Sequence, residues 1–414
     1  MATRPTRPTR PEDLAAVQRI WREVGWVDDD DEAAAIEPFL AGTSAARVAV
    51  LDGEAEASAT VHAGRLLHTA TDLPTAVVSS ITVSRVGRKQ GLARTLLAEV
   101  LQDAAADGAV VSILGMFEQG FYDTVGYGTG DEMLFHRFDP SSLSDALPHR
   151  APVRLATSDH VEVAACMATR RRTHGGVAID DPAMRAAELA WMKPGFGLGY
   201  RDDAGTLTHF LWCRTKGENG PYTVTAWAWQ DDQQLRELLG LLRSFGDQVR
   251  TVRVEEPAEL QLEVLVTQPN QQLIARRGGE HESGTIADAW WQARILDVPA
   301  CVAALRTAGP TVAFDLELTD PATRWTALRP QGWQGVAGHW RVTLGPNGST
   351  AEPGLPRDGV PGLRCSVNAF TRLWLGVRPP TTLATTDDLV ATPGLLADLD
   401  AALRLPRPHP GMDF

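Results

Sequence analysis

The 414-residue sequence lacks the features that announce several common chemistries. Only four cysteines are present, Cys166, Cys213, Cys301 and Cys365, and none forms a CxxC pair, which argues against a zinc knuckle or a disulfide framework. A reducing compartment is the default. None of the ten histidines falls in an HxH, HxxxH or HExxH spacing, so no metal is assigned, and no G-x-S-x-G elbow, P-loop or G-x-G-x-x-G occurs. No apolar run reaches about 18 residues, and the opening MATRPTRPTRPEDL has no apolar h-region; a cytoplasmic, unanchored protein with no membrane partner is expected. Basic charge is also short. Against 52 Asp and Glu stand 39 Lys and Arg, a formal charge of -13 that repels a phosphate backbone. No nucleic acid partner is expected, and a cationic small molecule is favoured.

With 43% hydrophobic and 22% charged residues, the chain can build large cores, and at about 150 residues per domain it holds two or three domains. PEDLAAVQRIWREVGW predicts an amphipathic helix with Leu14, Val17, Ile20, Trp21 and Val24 on one face. Strands are expected at 46–52, 55–62, 76–83 and 109–114, with a helix after Gly91. The proline-punctuated DPSSLSDALPHRAP (139–152) breaks the periodicity as a linker does, so the first domain is set at 1–148. Residues 149–288 loosely echo its order: a strand and helix in VRLATSDHVEVAACMATRRRTHGG, strands near Gly199, Phe210 and 223–229, a helix over 231–245, a strand at 249–254. From 289 to 414 the texture changes. ARILDVPACVAALR predicts a helix, VAFDLELTD, WRVTL and GLRCSVN strands, and 393–404 a last helix. His62 and His68 are expected on a strand or loop surface.

The densest signal is SSITVSRVGRKQGLARTLLAEVLQDAAADG (79–108). A β-branched strand ends at Val83, a basic loop with Arg88, Lys89 and Gly91 follows, and Leu92, Leu96, Leu97, Val100 and Leu101 mark a helix face. A glycine-bearing loop at a helix N-terminus offers free amides and the positive end of the helix dipole, which together bind phosphate. After the next strand comes QGFYDTVGYGTGDEM (119–133), where Tyr127, between Gly126 and Gly128, suits either a core position or a hydroxyl facing a cleft. Trp21 and Trp26 precede an acidic run, Asp28 to Asp31, that fits either a solvated loop or an attractor of cationic amines. The tail LPRPHPGMDF carries Pro406, Pro408 and Pro410 and favours an extended, stiff path.

The loop, written Arg88-x-x-Gly91-x-Ala93, resembles the phosphate loop of the GNAT N-acetyltransferases, and FYDTVGYG resembles their F-Y-x-x-x-G-[FY] text. Across its length the chain is similar to the enhanced intracellular survival (Eis) N-acetyltransferases. That resemblance implies an α/β (α+β) fold: tandem GNAT-like domains with mixed sheets flanked by helices (1–148, catalytic; 149–288, degenerate), then a sterol-carrier-protein-like α/β domain (289–414). It implies acetyl-CoA as co-substrate, held by Ile81, Thr82 and Val83, by Arg88, Lys89, Gln90, Gly91, Leu92 and Ala93, and near Phe121 and Tyr122. Tyr127 is then the proton donor and the α-carboxylate of Phe414 the proton acceptor. Acceptor contacts are expected from Trp26, Asp28 and Asp413, with aminoglycoside-like polyamines or protein lysines as substrates and a homo-oligomer, a hexamer, as the assembly. The second copy begins its helix with Asp231 and Asp232, which oppose a pyrophosphate, so it should scaffold and not bind coenzyme. The rival readings are a lipid or sterol carrier with vestigial GNAT domains, and a pure assembly scaffold.

Overall fold

The amphipathic stretch near the N-terminus folds as helix α1 (Leu14–Val24), burying Val17, Ile20 and Trp21 and ending at Gly25, whose φ of 77° closes the helix in the left-handed region. It belongs to a computed structural model that describes residues 6–179, 181–325 and 328–412 as three sheets. In the first sheet the strands run β1 (Thr6–Pro8), β2 (Ala45–Leu51), β3 (Glu54–His68), β4 (Thr71–Val83) and β5 (Val111–Gly115), followed in space by a strand from far downstream, Trp291–Ile295, and by β6 (Gly128–Thr129). The short helices α2 (Asp30–Ala34) and α3 (Ile36–Ala41) pack with α1. Helix α4 (Leu92–Ala106) covers the other face with Leu92, Leu96, Leu97, Val100 and Leu101 all buried, and α5 (Gln119–Asp123) follows β5.

The second sheet takes β7 (Met133–Phe138) and β8 (Val153–Leu155); β9 (Val177–Ala178) instead pairs with the far end of β3. It continues with β10 (Gly195–Arg201), β11 (Leu207–Arg214), β12 (Tyr222–Ala228), β13 (Val252–Glu255) and the edge strand β14 (Gly284–Asp288), with α6 (His160–Thr169), α7 (Pro182–Trp191), α8 (Asp232–Arg243) and α9 (Pro269–Ala275) around it. The third domain places α10 (Val298–Ala304), α11 (Val367–Trp374), α12 (Pro380–Thr386) and α13 (Pro393–Ala402) against a five-stranded sheet, with Phe314, Phe370 and Trp374 filling the space between. Tandem GNAT-like α/β domains and a third α/β domain are therefore the architecture.

The sheets cross both expected boundaries. β7 lies before residue 148 yet belongs to the second sheet, and β15 (Trp291–Ile295) lies after residue 288 yet pairs with β5 and β6 in the first. The expected helix over ARILDVPACVAALR is thus a strand and then α10. All five residues of β15 are buried, as a strand between two neighbours requires, and Asp297 caps α10 by accepting from the Ala300 amide at 2.9 Å. The proline-punctuated stretch is not a loose linker either, because Leu143 and Leu147 are buried in the second domain's core.

His62 and His68 are a second correction, since both are fully buried. His62 Nδ1 sits 3.2 Å from the Gly42 carbonyl oxygen, with the Phe39 ring 4.8 Å away. His68 stacks on Trp374 at 4.4 Å and reaches its carbonyl oxygen at 3.0 Å. Burial pushes their pKa values down to about 4 and about 3, so both are neutral at pH 7.

Candidate functional site

The parallel pairing of β4 with β5 covers only Thr75 to Val111 through Val78 to Leu114, and beyond it the strands part. At the parting point Ser80 has φ 48°, and the β3–β4 register slips between Ser58 and Thr60, the mark of a bulge. Hydroxyl pairs hold it: Thr60 with Ser80 at 2.6 Å and with Ser79 at 3.0 Å, and Ser58 with Thr82 at 2.8 Å. Residues 79–83 therefore pair with β3 on one side and leave roughly 16 Å of strand edge open on the other. Ile81, Thr82 and Val83 lie together on that edge, and its free N–H and C=O groups suit an extended, amide-bearing ligand.

The chain then turns through residues 84–91. Gly87 N donates to the Ser84 carbonyl at 3.1 Å, and a side chain there would press on Val83 and the Glu56 carbonyl. Gly91 has φ 80°, is the N-cap of α4 without a side-chain cap, and has open space where a Cβ would stand. The first-turn amides of α4 are left facing outward. Arg88 and Lys89 are exposed and have no ion pair among the described residues. Gln90 turns back to the Val86 carbonyl oxygen at 2.7 Å. Leu92 is core, 2% exposed, so only its backbone can serve a ligand, while Ala93 is small and half-buried. Two further residues shape the mouth without having stood out in the sequence: Arg94, which reaches Thr124 of the next segment at 3.4 Å, and Glu23, which accepts from the Arg85 amide at 2.7 Å. That amide and then Arg19 hold the Glu23 carboxyl below its ordinary range against burial.

Phe121 and Tyr122 sit on α5, their rings edge to face at 5.0 Å. Tyr122 is buried, yet its hydroxyl has no hydrogen-bond partner among the described residues and is not one of the fully sealed polar atoms. Tyr127 differs. It is fully buried, and its hydroxyl lies 2.7 Å from Ser112 Oγ, which itself donates to the Ala76 carbonyl at 3.1 Å. The Tyr127 proton is thus directed at Ser112, and the expected cleft-facing hydroxyl is not what this structure has. Burial pushes both phenols well above their ordinary pKa.

Trp26 is 48% exposed and packs on Trp21 at 5.2 Å. Of the acidic run, Asp29 caps α2, Asp30 meets Arg22 at 2.6 Å and Asp31 meets Lys193 at 3.7 Å. Asp28 alone keeps a carboxylate without a partner among the described residues. Asp413 and Phe414 lie outside the described residues, but the tail is fastened as far as Met412. Arg407 binds Asp131 at 2.5 Å, the His409 amide donates to the His174 carbonyl at 2.9 Å, the Val177 amide donates to the Pro410 carbonyl at 2.9 Å, and Met412 is buried. Gly175, with φ 83°, lets the tail pass, since a Cβ there would meet the His409 amide and Pro408.

The second copy has the same parting of strands, with β12 and β13 paired only at Tyr222 and Thr223. Its cavity of about 480 Å³ is lined by Trp227, Trp229, Leu235 and Leu239 and by tail residues His409, Pro410 and Gly411. A cavity of about 920 Å³ lies elsewhere, among Arg10, Arg47, Gln102 and Arg329 at the far end of α4, away from the open edge and its loop. Among the described residues no group of three His, Cys, Asp or Glu could hold a metal ion, and no helix is long and apolar enough to cross a membrane.

Residues 5–130 match the family model for an acetyltransferase (GNAT) domain, and residues 298–411 match that for a sterol carrier protein domain. Solved structures share the whole architecture. A conserved protein of unknown function from Enterococcus faecalis V583, described as a probable N-acyltransferase, is 17% identical with TM-score 0.78 over 100% of both chains. Eis1 from Mycobacterium abscessus is 20% identical with TM-score 0.74 over 99% of this chain and 100% of its own. A GCN5-related N-acetyltransferase from Kribbella flavida is 20% identical with TM-score 0.73 over 99% of this chain and 98% of its own. No curated protein matches.

Proposed function

We propose that this chain, a GNAT acetyltransferase domain joined to a sterol carrier protein domain in an Eis-like fold, transfers the acetyl group of acetyl-CoA to primary amines of polyamine-like acceptors such as aminoglycosides, or of protein lysines. The carrying observation is the open edge at residues 79–83 leading into the uncapped start of α4. An extended pantetheine arm would pair with the edge, and its diphosphate would meet the amides after Gly91 and the charges of Arg88 and Lys89. In direct transfer the amine nitrogen forms the new C–N bond and the C–S bond breaks. One proton leaves the amine and one reaches the sulfur, so the two must be handled at separate points of the cleft.

The Phe414 carboxylate is the proposed proton acceptor, supported by a tail that is fastened to the first two domains up to its last two residues. A free α-carboxyl has an ordinary pKa of about 3.3–3.7 and is ionised at pH 7. Tyr127 is the proposed donor, which requires its hydroxyl to exchange Ser112 for the sulfur. A second reading, favoured by the unpartnered hydroxyl, gives that role to Tyr122. Asp28 and Trp26 would receive the cationic acceptor, with Asp413 beside the base, in keeping with the net negative charge. The assembly proposed is a cytoplasmic hexamer. A panel of amines with thiol-release detection tests reaction and acceptor class together: release of thiol in step with aminoglycoside or polyamine is the expected result, and no release with any amine overturns the reading. Amidating or extending the C-terminus should then lower turnover sharply with little change in coenzyme affinity.

A further inference from the structure

The segment carrying both tyrosines is built to be held from outside. Gly126, Gly128 and Gly130 alternate along it, and each lacks a side chain where a group from β15 or the third domain closes in: the Arg294 guanidinium at Gly126, the Asn368 backbone at Gly128, the Trp291 ring at Gly130. Three glycines in five residues give a chain with large backbone freedom. Within its own domain the Tyr127 hydroxyl meets Ser112 and the side chains of Tyr122, Val125 and Tyr127 are buried, while the side-chain donors that reach the carbonyls of Asp123, Val125, Tyr127 and Thr129 come from residues 294–372.

We infer that Asn368, supported by Arg294, is a positioning residue for acetyl transfer, so that the sterol carrier domain serves as the template on which the first domain's donor tyrosines are set. This rests on the acetyl-transfer reading above. The Asn368 side-chain amide donates both of its protons across one turn, to the Asp123 carbonyl at 2.9 Å and the Tyr127 carbonyl at 2.7 Å. It thereby spans the residues from just after Tyr122 to Tyr127 and fixes the two rings relative to each other. Next to it Arg294 donates to the Val125 carbonyl at 2.5 Å. Arg294 is itself immobilised: both its side chain and that of Asp320 are fully buried, Asp320 accepts from it at 2.6 and 2.7 Å, and Trp325 and Trp333 lie 5.2 and 5.0 Å from its guanidinium carbon. Asp320 is held in turn by the amides of Ala322 and Val336, both at 2.8 Å. Farther along, Arg372 donates to the Thr129 carbonyl at 3.2 Å, and Gln292 to Asp123 Oδ1 at 2.6 Å. Side chains from β15 and the third domain thus meet the carbonyls of Asp123, Val125, Tyr127 and Thr129.

The chemistry predicts which substitutions matter. Asn368→Asp keeps the shape but turns a carboxylate oxygen, an acceptor, toward two carbonyl oxygens, whereas Asn368→Ala only removes the donors. In the full-length protein both should lower kcat by roughly 10- to 100-fold, the scale of a small misplacement of reacting groups, while the acetyl-CoA Kd changes less than about threefold. Hydrogen exchange should accelerate at residues 119–130, including the short edge strand β6, and stay unchanged in the other strands of the three sheets. Arg372→Ala, which removes the Thr129 contact together with an ion pair to Asp387 at 3.1 Å, should show the same local exchange effect with a smaller fall in kcat. Wild-type kcat in Asn368→Asp, unchanged protection of 119–130, or loss of protection throughout the sheets in both Asn368→Ala and Arg372→Ala would overturn the inference. If the wild-type protein transfers no acetyl group, the acetyl-transfer reading fails instead, and the exchange result still decides whether Asn368 sets the loop.

Discussion

The two GNAT-like domains share a parting pair of strands followed by a helix, and they differ at the residue that caps that helix. In the first, Gly91 leaves the helix start without a side-chain cap, and beside it Arg88 and Lys89 are exposed with no ion pair among the described residues. In the second, Asp231 accepts from the Gln234 amide at 2.9 Å, Gln234 returns the contact to the Gln230 amide at 2.7 Å, and Asp232 pairs with Arg171 at 2.6 Å. One helix start offers its amides to a ligand and the other consumes its own. The second cleft is also walled by two indoles and by the C-terminal tail. The same backbone thus carries an uncapped helix start in one copy and a capped one in the other, and under the proposed function that difference, worth about 1 kcal/mol in helix stability, separates a coenzyme-binding copy from a scaffolding one.

The largest break in this comparison should come from the tyrosines, because residues 256–262, which follow β13 in the second copy, contain none. Tyr127→Phe is expected to lower kcat by roughly 100-fold with acetyl-CoA affinity unchanged, and Tyr122→Phe by less than tenfold. Steady-state kinetics with direct binding measurements decide this, and the reverse order assigns the proton donor to Tyr122. Next in size, removing Arg88 and Lys89 together should weaken acetyl-CoA binding by about tenfold at low salt and by less at high salt. Arg171→Ala, the matching loss beside the second helix, should leave that affinity alone.

Smaller still, Asp231→Ala should cost about 1 kcal/mol of stability, read in denaturant unfolding, with no gain or loss of coenzyme affinity. Acid acts on the buried histidines at the joints around the two clefts. His62, His68 and His409 are pushed down to about 4, 3 and 4 by burial, while an unfolded chain protonates them near 6.5. The unfolded state therefore binds more protons as pH falls, so their contribution is complete above about pH 6.5 and is lost on the way down toward pH 4. The slope is at most about 1.4 kcal/mol per pH unit for each histidine. Thermal melts from pH 7 to pH 4.5 should show a steady fall in Tm, and a flat Tm would contradict the burial argument.

The strand, loop and helix of residues 79–108 were legible in the sequence because their signals are local. β-branched residues, a glycine at the helix start and a leucine face lie within thirty residues of one another, and the structure returns them as β4, the loop and α4. The strand exchange was not legible, since WQARI carries no alternation and its partners are some 160–180 residues away. The buried histidines escaped for a related reason: His68 Nε2 meets a carbonyl 306 residues downstream, and nothing adjacent to it in sequence says so. Tyr127 read as free to face a cleft because two flanking glycines suggest mobility. Those glycines instead make room for Arg294 and Asn368, whose contacts span 169 to 245 residues. Local chemistry marked the open edge and the uncapped helix start, and long-range packing decided how the tyrosines are held.

The most direct test is a calorimetric titration of acetyl-CoA into the wild-type protein and into Gly91→Asp, which places the second copy's capping residue on the first copy's helix at a left-handed φ of 80°. The account predicts one saturable site per chain in the wild type and a loss of affinity of about 100-fold or more in the variant, equivalent to roughly 2.7 kcal/mol, with the fold retained by circular dichroism. Equal affinity in both proteins, or no binding to the folded wild type, would contradict it.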